Sequence, residues 1–242
     1  MKVEVEILED VASLQAHALG EVVRALREAV AARGRASLAL SGGSTPKGLY
    51  QRLAQERSLP WANVHLFFGD ERHVPPDHPD SNYRMAREAL LDPLFAEGLL
   101  PQANVHRVEA ELSADQAASR YETVLRDFFG QEVPAFDLIL LGMGPDGHTA
   151  SLFPHTQGLE ERTRWVIANP VAKLATERIT FTYPVLDAAR EVAFLVAGAE
   201  KAEPLAQVLT SKTAEVSDYP SKGVRPAGRL VFLVDKAAAA KL

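Results

Sequence analysis

The chain has 242 residues, 47% hydrophobic and 24% charged, with a formal net charge of −6. This is the composition of an ordinary folded chain with a substantial core, and it excludes disorder, collagen-like repeats and a coiled coil. The absence of cysteine excludes a disulfide framework, a thiolate metal site and a cysteine nucleophile, and the acidic balance argues against nucleic acid or an anionic membrane as the main partner.

No stretch approaches the ~18 apolar residues that span a bilayer, and Met1 to Glu6 lacks the basic-then-apolar pattern of a signal peptide. The expectation is a cytoplasmic protein, a monomer or a small homo-oligomer. Val3, Val5 and Ile7 alternate with Glu4 and Glu6, which predicts a half-exposed strand near a sheet edge. A helix follows: Asp10 is its N-cap, Leu14, Ala18, Val22 and Leu26 recur at helical spacing, and Gly34 closes it. Buried parallel strands are predicted at Ser37–Leu40, Val64–Phe68, Phe136–Leu141, Val192–Val196 and Leu230–Val234, with helical segments between most of them. Ser113 to Gln116 is a capping box that opens a helix ending near Gly130. Arg178 to Tyr183 alternates like a strand and stops at Pro184, and Lys236 to Leu242 reads as a short helix or a frayed tail. Strand and helix alternate without a linker or repeat. The fold class is therefore α/β: a single-domain, Rossmann-like three-layer fold over residues 1–242, with a mostly parallel central sheet flanked by helices.

Three strands end in glycine and lead toward a helix, at Ser41-Gly42-Gly43-Ser44, Gly142-Met143-Gly144 and Gly198-Ala199-Glu200-Lys201. In an open α/β sheet such turns share one edge, where ligands bind. Ser41 to Pro46 has the makings of a phosphate site, because glycines admit a close approach, hydroxyls donate, and the next helix presents free N–H groups. The competing account is a plain tight turn capped by Ser44 or Thr45. Gly142 to Gly147 matches G-x-G-x-x-G, but the next apolar segment, Trp165 to Asn169, lacks the acid a dinucleotide site needs about 20 residues on. Asp146-Gly147-His148 can supply an oriented acid/base pair, unless Asp146 only caps a helix and His148 only packs. Gly69-Asp70-Glu71-Arg72-His73 brings acids and an arginine to a strand end, where Arg72 suits a bidentate anion contact and Asp70 can orient a water or the histidine; a solvated ion network is the alternative. Lys201 can reach a phosphate as a point charge or lie on the surface, and Arg178 can be a rim ion pair. A metal on His73, Asp77, His78 and Asp80 is disfavoured by three interrupting prolines and by the lack of a helical histidine pair.

Together, Ser41 to Pro46, Gly69 to Pro75 with Ser81-Asn82-Tyr83, Gly142 to Pro154, and Arg178-Ile179-Thr180 with Tyr183 to Leu186 resemble the 6-phosphogluconolactonase family, within the larger group that includes glucosamine-6-phosphate isomerases/deaminases. The resemblance implies hydrolysis of a sugar-phosphate lactone without metal or organic cofactor. It puts the general base on His148, with Asp70 close to it and Asp146 beside it. It puts phosphate contacts on Ser41, Gly42, Gly43, Ser44, Thr45, Arg72, Lys201 and Arg178. Phe153 stands where the deaminase branch carries a glutamate, which favours the lactonase branch, and Asp187 replaces an asparagine of the family pattern. A deaminase/isomerase and a non-catalytic sugar-phosphate sensor are the alternatives.

Overall fold

The computed structural model describes residues 3–242. In chain order it contains β1 (Val3–Leu8), α1 (Val11–Arg33), β2 (Ala36–Leu40), α2 (Ser44–Leu53), β3 (Val64–Phe68), β4 (Asp70–Arg72), α3 (Asn82–Ala86), α4 (Asp92–Ala96) and α5 (Ala114–Phe129). Then come β5 (Leu138–Leu141), β6 (Val166–Val171), β7 (Thr176–Phe181), α6 (Tyr183–Ala188), β8 (Glu191–Val196), α7 (Ala202–Leu209) and β9 (Arg229–Asp235). Helix ends follow local chemistry. Asp10 accepts from the Ser13 N–H at 2.7 Å, Gly34 ends α1 in the left-handed region, and Ser113 caps α5 by accepting from the Gln116 N–H.

Six strands form one sheet in the order β1-β9-β8-β5-β2-β3, all parallel, as the alternating pattern predicts. A second, antiparallel sheet, β4-β7-β6, was not foreseen. Its shortest strand, Asp70-Glu71-Arg72, carries no apolar alternation to announce it. Gly69 joins the two sheets: its N–H donates to Leu40 O at 2.9 Å and its C=O accepts from Phe181 N at 2.8 Å.

Two local expectations are corrected. β7 ends at Phe181 rather than Tyr183, because Pro184 suits the start of α6. The segment after Asp235 forms turns rather than a helix, and the Asp235 carboxylate accepts from Ala238 N at 2.8 Å and Gly198 N at 3.1 Å. β1 is a half-exposed strand at the sheet edge, as expected; Val3, Val5 and Ile7 face outward, and Glu4 and Glu6 lie on the side of Arg229 and His17. The Arg229 guanidinium gathers Glu4 at 2.8 Å, Glu191 at 2.6 Å and also Glu21. No described helix is long and apolar enough to cross a membrane.

Behind β3, an aromatic cluster of Phe67, Phe128, Phe129 and Phe136 encloses an imidazole pair. His65 Nδ1 lies 3.1 Å from His106 Nε2, and the His106 ring stacks on Phe67 at 4.3 Å. Burial, then the neighbouring His65, pushes His106 from its ordinary 6.5 down to about 4, and burial also lowers His65. The unfolded chain therefore takes up these protons first as pH falls. The stability that depends on a neutral pair is complete above about 6.5 and drains away toward pH 4. Urea midpoints should fall steadily between pH 7 and pH 4.5, and His106→Leu should flatten that fall; parallel curves for both proteins would contradict the account.

Candidate active site

β2 has β3 on one side and β5 on the other, so the strand order reverses between β2 and β5. A crevice opens there at the carboxyl edge of a parallel sheet. Ser41, Gly42, Gly43, Asp70, Arg72, His148 and Lys201 all line it. Four distant stretches of chain thus converge on one cleft. Ser44, Thr45, Asp146 and Arg178 are not among its lining residues.

On one wall, the buried Tyr50 hydroxyl clamps the first turn, accepting from Ser41 N and donating to Ser41 O, each at 2.8 Å. Gly43 is the N-cap of α2 at φ +108, a backbone that effectively requires glycine, and no side chain caps the helix. The alternative of a Ser44 or Thr45 cap is therefore wrong. Pro46 is the third residue of α2, where its missing N–H costs nothing. The first-turn N–H groups have no partner within the helix and carry the positive end of its dipole.

Opposite stands the histidine turn. His148 Nδ1 is 2.5 Å from Asp146 Oδ1, and the His148 backbone N–H donates to the same oxygen at 3.2 Å. Lys173 pairs with Asp146 Oδ2. Burial works to raise the Asp146 pKa, but the hydrogen bonds from His148 and Lys173 outweigh it and hold the carboxyl well below the usual carboxylate range. A side chain at Gly144 would overlap the His148 ring, so glycine is what lets the pair lie across the turn. The imidazole stacks on Phe153 with centroids 4.1 Å apart. From below, Ser221 N donates to Gly147 O at 2.9 Å and Ser221 Oγ to His148 O at 3.3 Å. The Gly142–Gly147 dinucleotide match leads into turns, not a helix, so the N-terminus that would hold a pyrophosphate is missing from its context.

Asp70 does not bond to the imidazole. Its Oδ2 accepts from Ser151 Oγ at 2.7 Å and its backbone C=O from Asn82 Nδ2 at 3.0 Å. Ala150, left-handed at φ +46, makes the turn that sends Ser151 back to it. Arg72 donates through Nη1 to Asp80 O at 2.8 Å, and its Nε is buried without a partner. Arg178 is its cross-strand neighbour in the β4–β7 pair, with its own Nε unpartnered. Burial, then the Arg72 charge, lowers the Arg178 pKa. Two arginines side by side with idle donors favour an anion between or beside them.

Several contributors escaped sequence reasoning. The Glu71 carboxylate accepts from Arg72 N at 2.8 Å, Asn82 N at 2.7 Å, Tyr83 N at 2.8 Å and Ser81 Oγ at 3.1 Å. It thereby fastens the start of α3 to β4, and with it Asn82 and Arg72. Burial raises its pKa, and the three backbone donors oppose that rise. Asp187 accepts from Arg225 N at 2.6 Å, a task that an asparagine oxygen performs equally well.

With this geometry in view, comparison with known proteins is specific. The family described as glucosamine-6-phosphate isomerases/6-phosphogluconolactonase matches residues 9–232. The chain belongs to that family. A Nostoc protein named 6-phosphogluconolactonase is 46% identical over 246 residues, covering 100% of this chain and 99% of the relative. A solved 6-phosphogluconolactonase from Trypanosoma cruzi superposes with TM-score 0.87 at 32% identity, covering 100% of this chain and 97% of its own. The Thermotoga maritima 6-phosphogluconolactonase structure gives TM-score 0.84 at 30% identity, covering 97% and 100%.

Because Glu71 satisfies four donors in a buried site, Glu71→Ala should lower the unfolding free energy by about 3 kcal/mol. Glu71→Gln, which keeps one acceptor oxygen, should lose less. Equal urea-denaturation energies for Glu71→Ala and wild type would show that the carboxylate does not hold α3.

Proposed function

We propose that this protein hydrolyses 6-phospho-D-glucono-1,5-lactone to 6-phospho-D-gluconate, the lactone-opening step of the oxidative pentose phosphate pathway, in the cytoplasm. The observation that carries the reading is His148, bonded to Asp146, in a cleft also lined by Gly43 at the N-cap of α2, Arg72 and Lys201. A base and an anion cradle in one crevice suit a substrate with a phosphate at one end and a reactive carbonyl at the other. The names of the full-length relatives support the same substrate.

In this reading the phosphate is held by the Ser41–Thr45 turn, Arg72 and Lys201, with Arg178 behind Arg72. These contacts position the sugar and do no chemistry themselves. With Nδ1–H donated to Asp146, His148 Nε2 carries the lone pair. It takes a proton from water as the water oxygen bonds to C1. The resulting oxyanion is held by N–H donors or a cation of the cleft, then collapses and breaks the bond from C1 to the ring oxygen. The imidazolium returns its proton to that oxygen, which leaves as a hydroxyl, and the new carboxylic acid ionises in water. Asp70, tied to Ser151 and Asn82, lines the cleft as a fixed acceptor for a sugar hydroxyl or the attacking water. No metal or organic cofactor enters any of these steps.

An amino-sugar deaminase would need a further proton carrier to assist ring opening. Phe153, packed flat on His148, supplies none. His148→Asn should lower kcat by about 10²–10⁴-fold after the spontaneous hydrolysis is subtracted, while 6-phosphogluconate still binds. Arg72→Ala should raise KM before it affects kcat. An assay offering the lactone and glucosamine 6-phosphate side by side tests the substrate assignment, and ammonia release from the second would overturn it.

A further inference from the structure

The β6–β7 hairpin places one charged side chain on the far side of the histidine turn. Lys173 lies in the tip Ala172–Leu174, which closes on Ala175 at φ +47. The tip is otherwise weakly anchored: Leu174 is an exposed apolar residue, and among the described residues the tip's ion pair is Lys173 with Asp146. The same ammonium lies 4.8 Å above the Phe153 ring. Both of its partners touch His148, Asp146 through Nδ1 and Phe153 through the ring face. Lys173 is not itself among the residues that line the cleft.

We propose that Lys173 is a positioning residue for the base, pinning Asp146 through Oδ2 and Phe153 through its ring so that His148 is held in one orientation from two sides. Asp146 Oδ1 already serves the imidazole and the His148 backbone N–H. Without a donor on Oδ2, the carboxylate is free to swing about its last torsion and present either oxygen. A bond on each oxygen removes that freedom. The ammonium also favours the ionised carboxylate, in line with the depressed Asp146 pKa. An ordinary surface ion pair would contribute little to stability and nothing to turnover. The difference here is that the carboxylate of this pair holds the base.

The inference rests on the function proposed above, and its test separates the two. Lys173→Met keeps an unbranched side chain one atom shorter and removes the charge. It should lower kcat for the lactone about three- to tenfold with KM unchanged within about twofold. Lys173→Arg should restore at least half of the lost kcat. The gap between wild type and Lys173→Met should narrow at about 0.5 M salt, since the pair is half-exposed and screenable. A Lys173→Met enzyme with wild-type kcat, beside an inactive His148→Asn control, would overturn the role of Lys173 and leave the function standing. A rise in KM alone, or a loss that arginine does not restore, would overturn it too. Wild-type protein that adds nothing to the spontaneous hydrolysis would instead sink the functional reading.

Discussion

A neutral imidazole has two nitrogens and one proton, and only the bare nitrogen can take a proton from water. The hydrogen bond between Asp146 and His148 assigns that proton to Nδ1 and leaves Nε2 as acceptor. Much of the surrounding architecture exists to let this contact form. Gly144 clears the volume that the ring occupies, Phe153 supports its face, and Ser221 ties the turn to the segment ahead of β9. Each of these is a packing or hydrogen-bonding condition on one short loop: Gly144 and Phe153 impose it from within the same segment, Ser221 from 73 residues away.

The second constraint is electrostatic. For the sugar-phosphate substrate proposed above, a chain with net charge −6 has to present an anion-attracting cleft. It does so by engaging the nearby carboxylates elsewhere. Glu71 is consumed by the start of α3, Asp70 Oδ2 by Ser151, and Asp146 by His148 and Lys173. What remains lining the crevice as charge or donor is Arg72, Lys201, whose ammonium stands 3.8 Å from Glu200, and Gly43 at the start of α2. The acidic residues act as scaffold, and their bonds to backbone N–H groups stabilise the turns that carry the cations.

Sequence patterns were legible where the physics is local. Hydrophobic periodicity marked the parallel strands and α1, and capping residues marked the ends of α1 and α5. The resemblance to a family rested on short motifs whose glycines and polar residues stand at turns. Legibility failed where a role is created by pairing. The charged triplet of β4 carries no strand pattern until β7 lies against it, and the alternation of β1 does not say which face turns to solvent until Arg229 pairs with Glu4. Lys173, 27 residues from Asp146, carries no local signal at all.

What the amino-acid order determined by itself was the α/β class, the glycine turns at three strand ends and the residue types able to bind an anion or move a proton, because each depends on neighbours within a turn or two of chain. Which carboxylate grips the imidazole was decided only in three dimensions. Asp70 and Asp146 both remain candidates from the motifs alone, but in the fold Ser151 Oγ donates to the first while the second bonds His148 Nδ1 across a tight turn. Hydrogen bonds have a reach of about 3 Å, and only the folded sheet states which groups come within it.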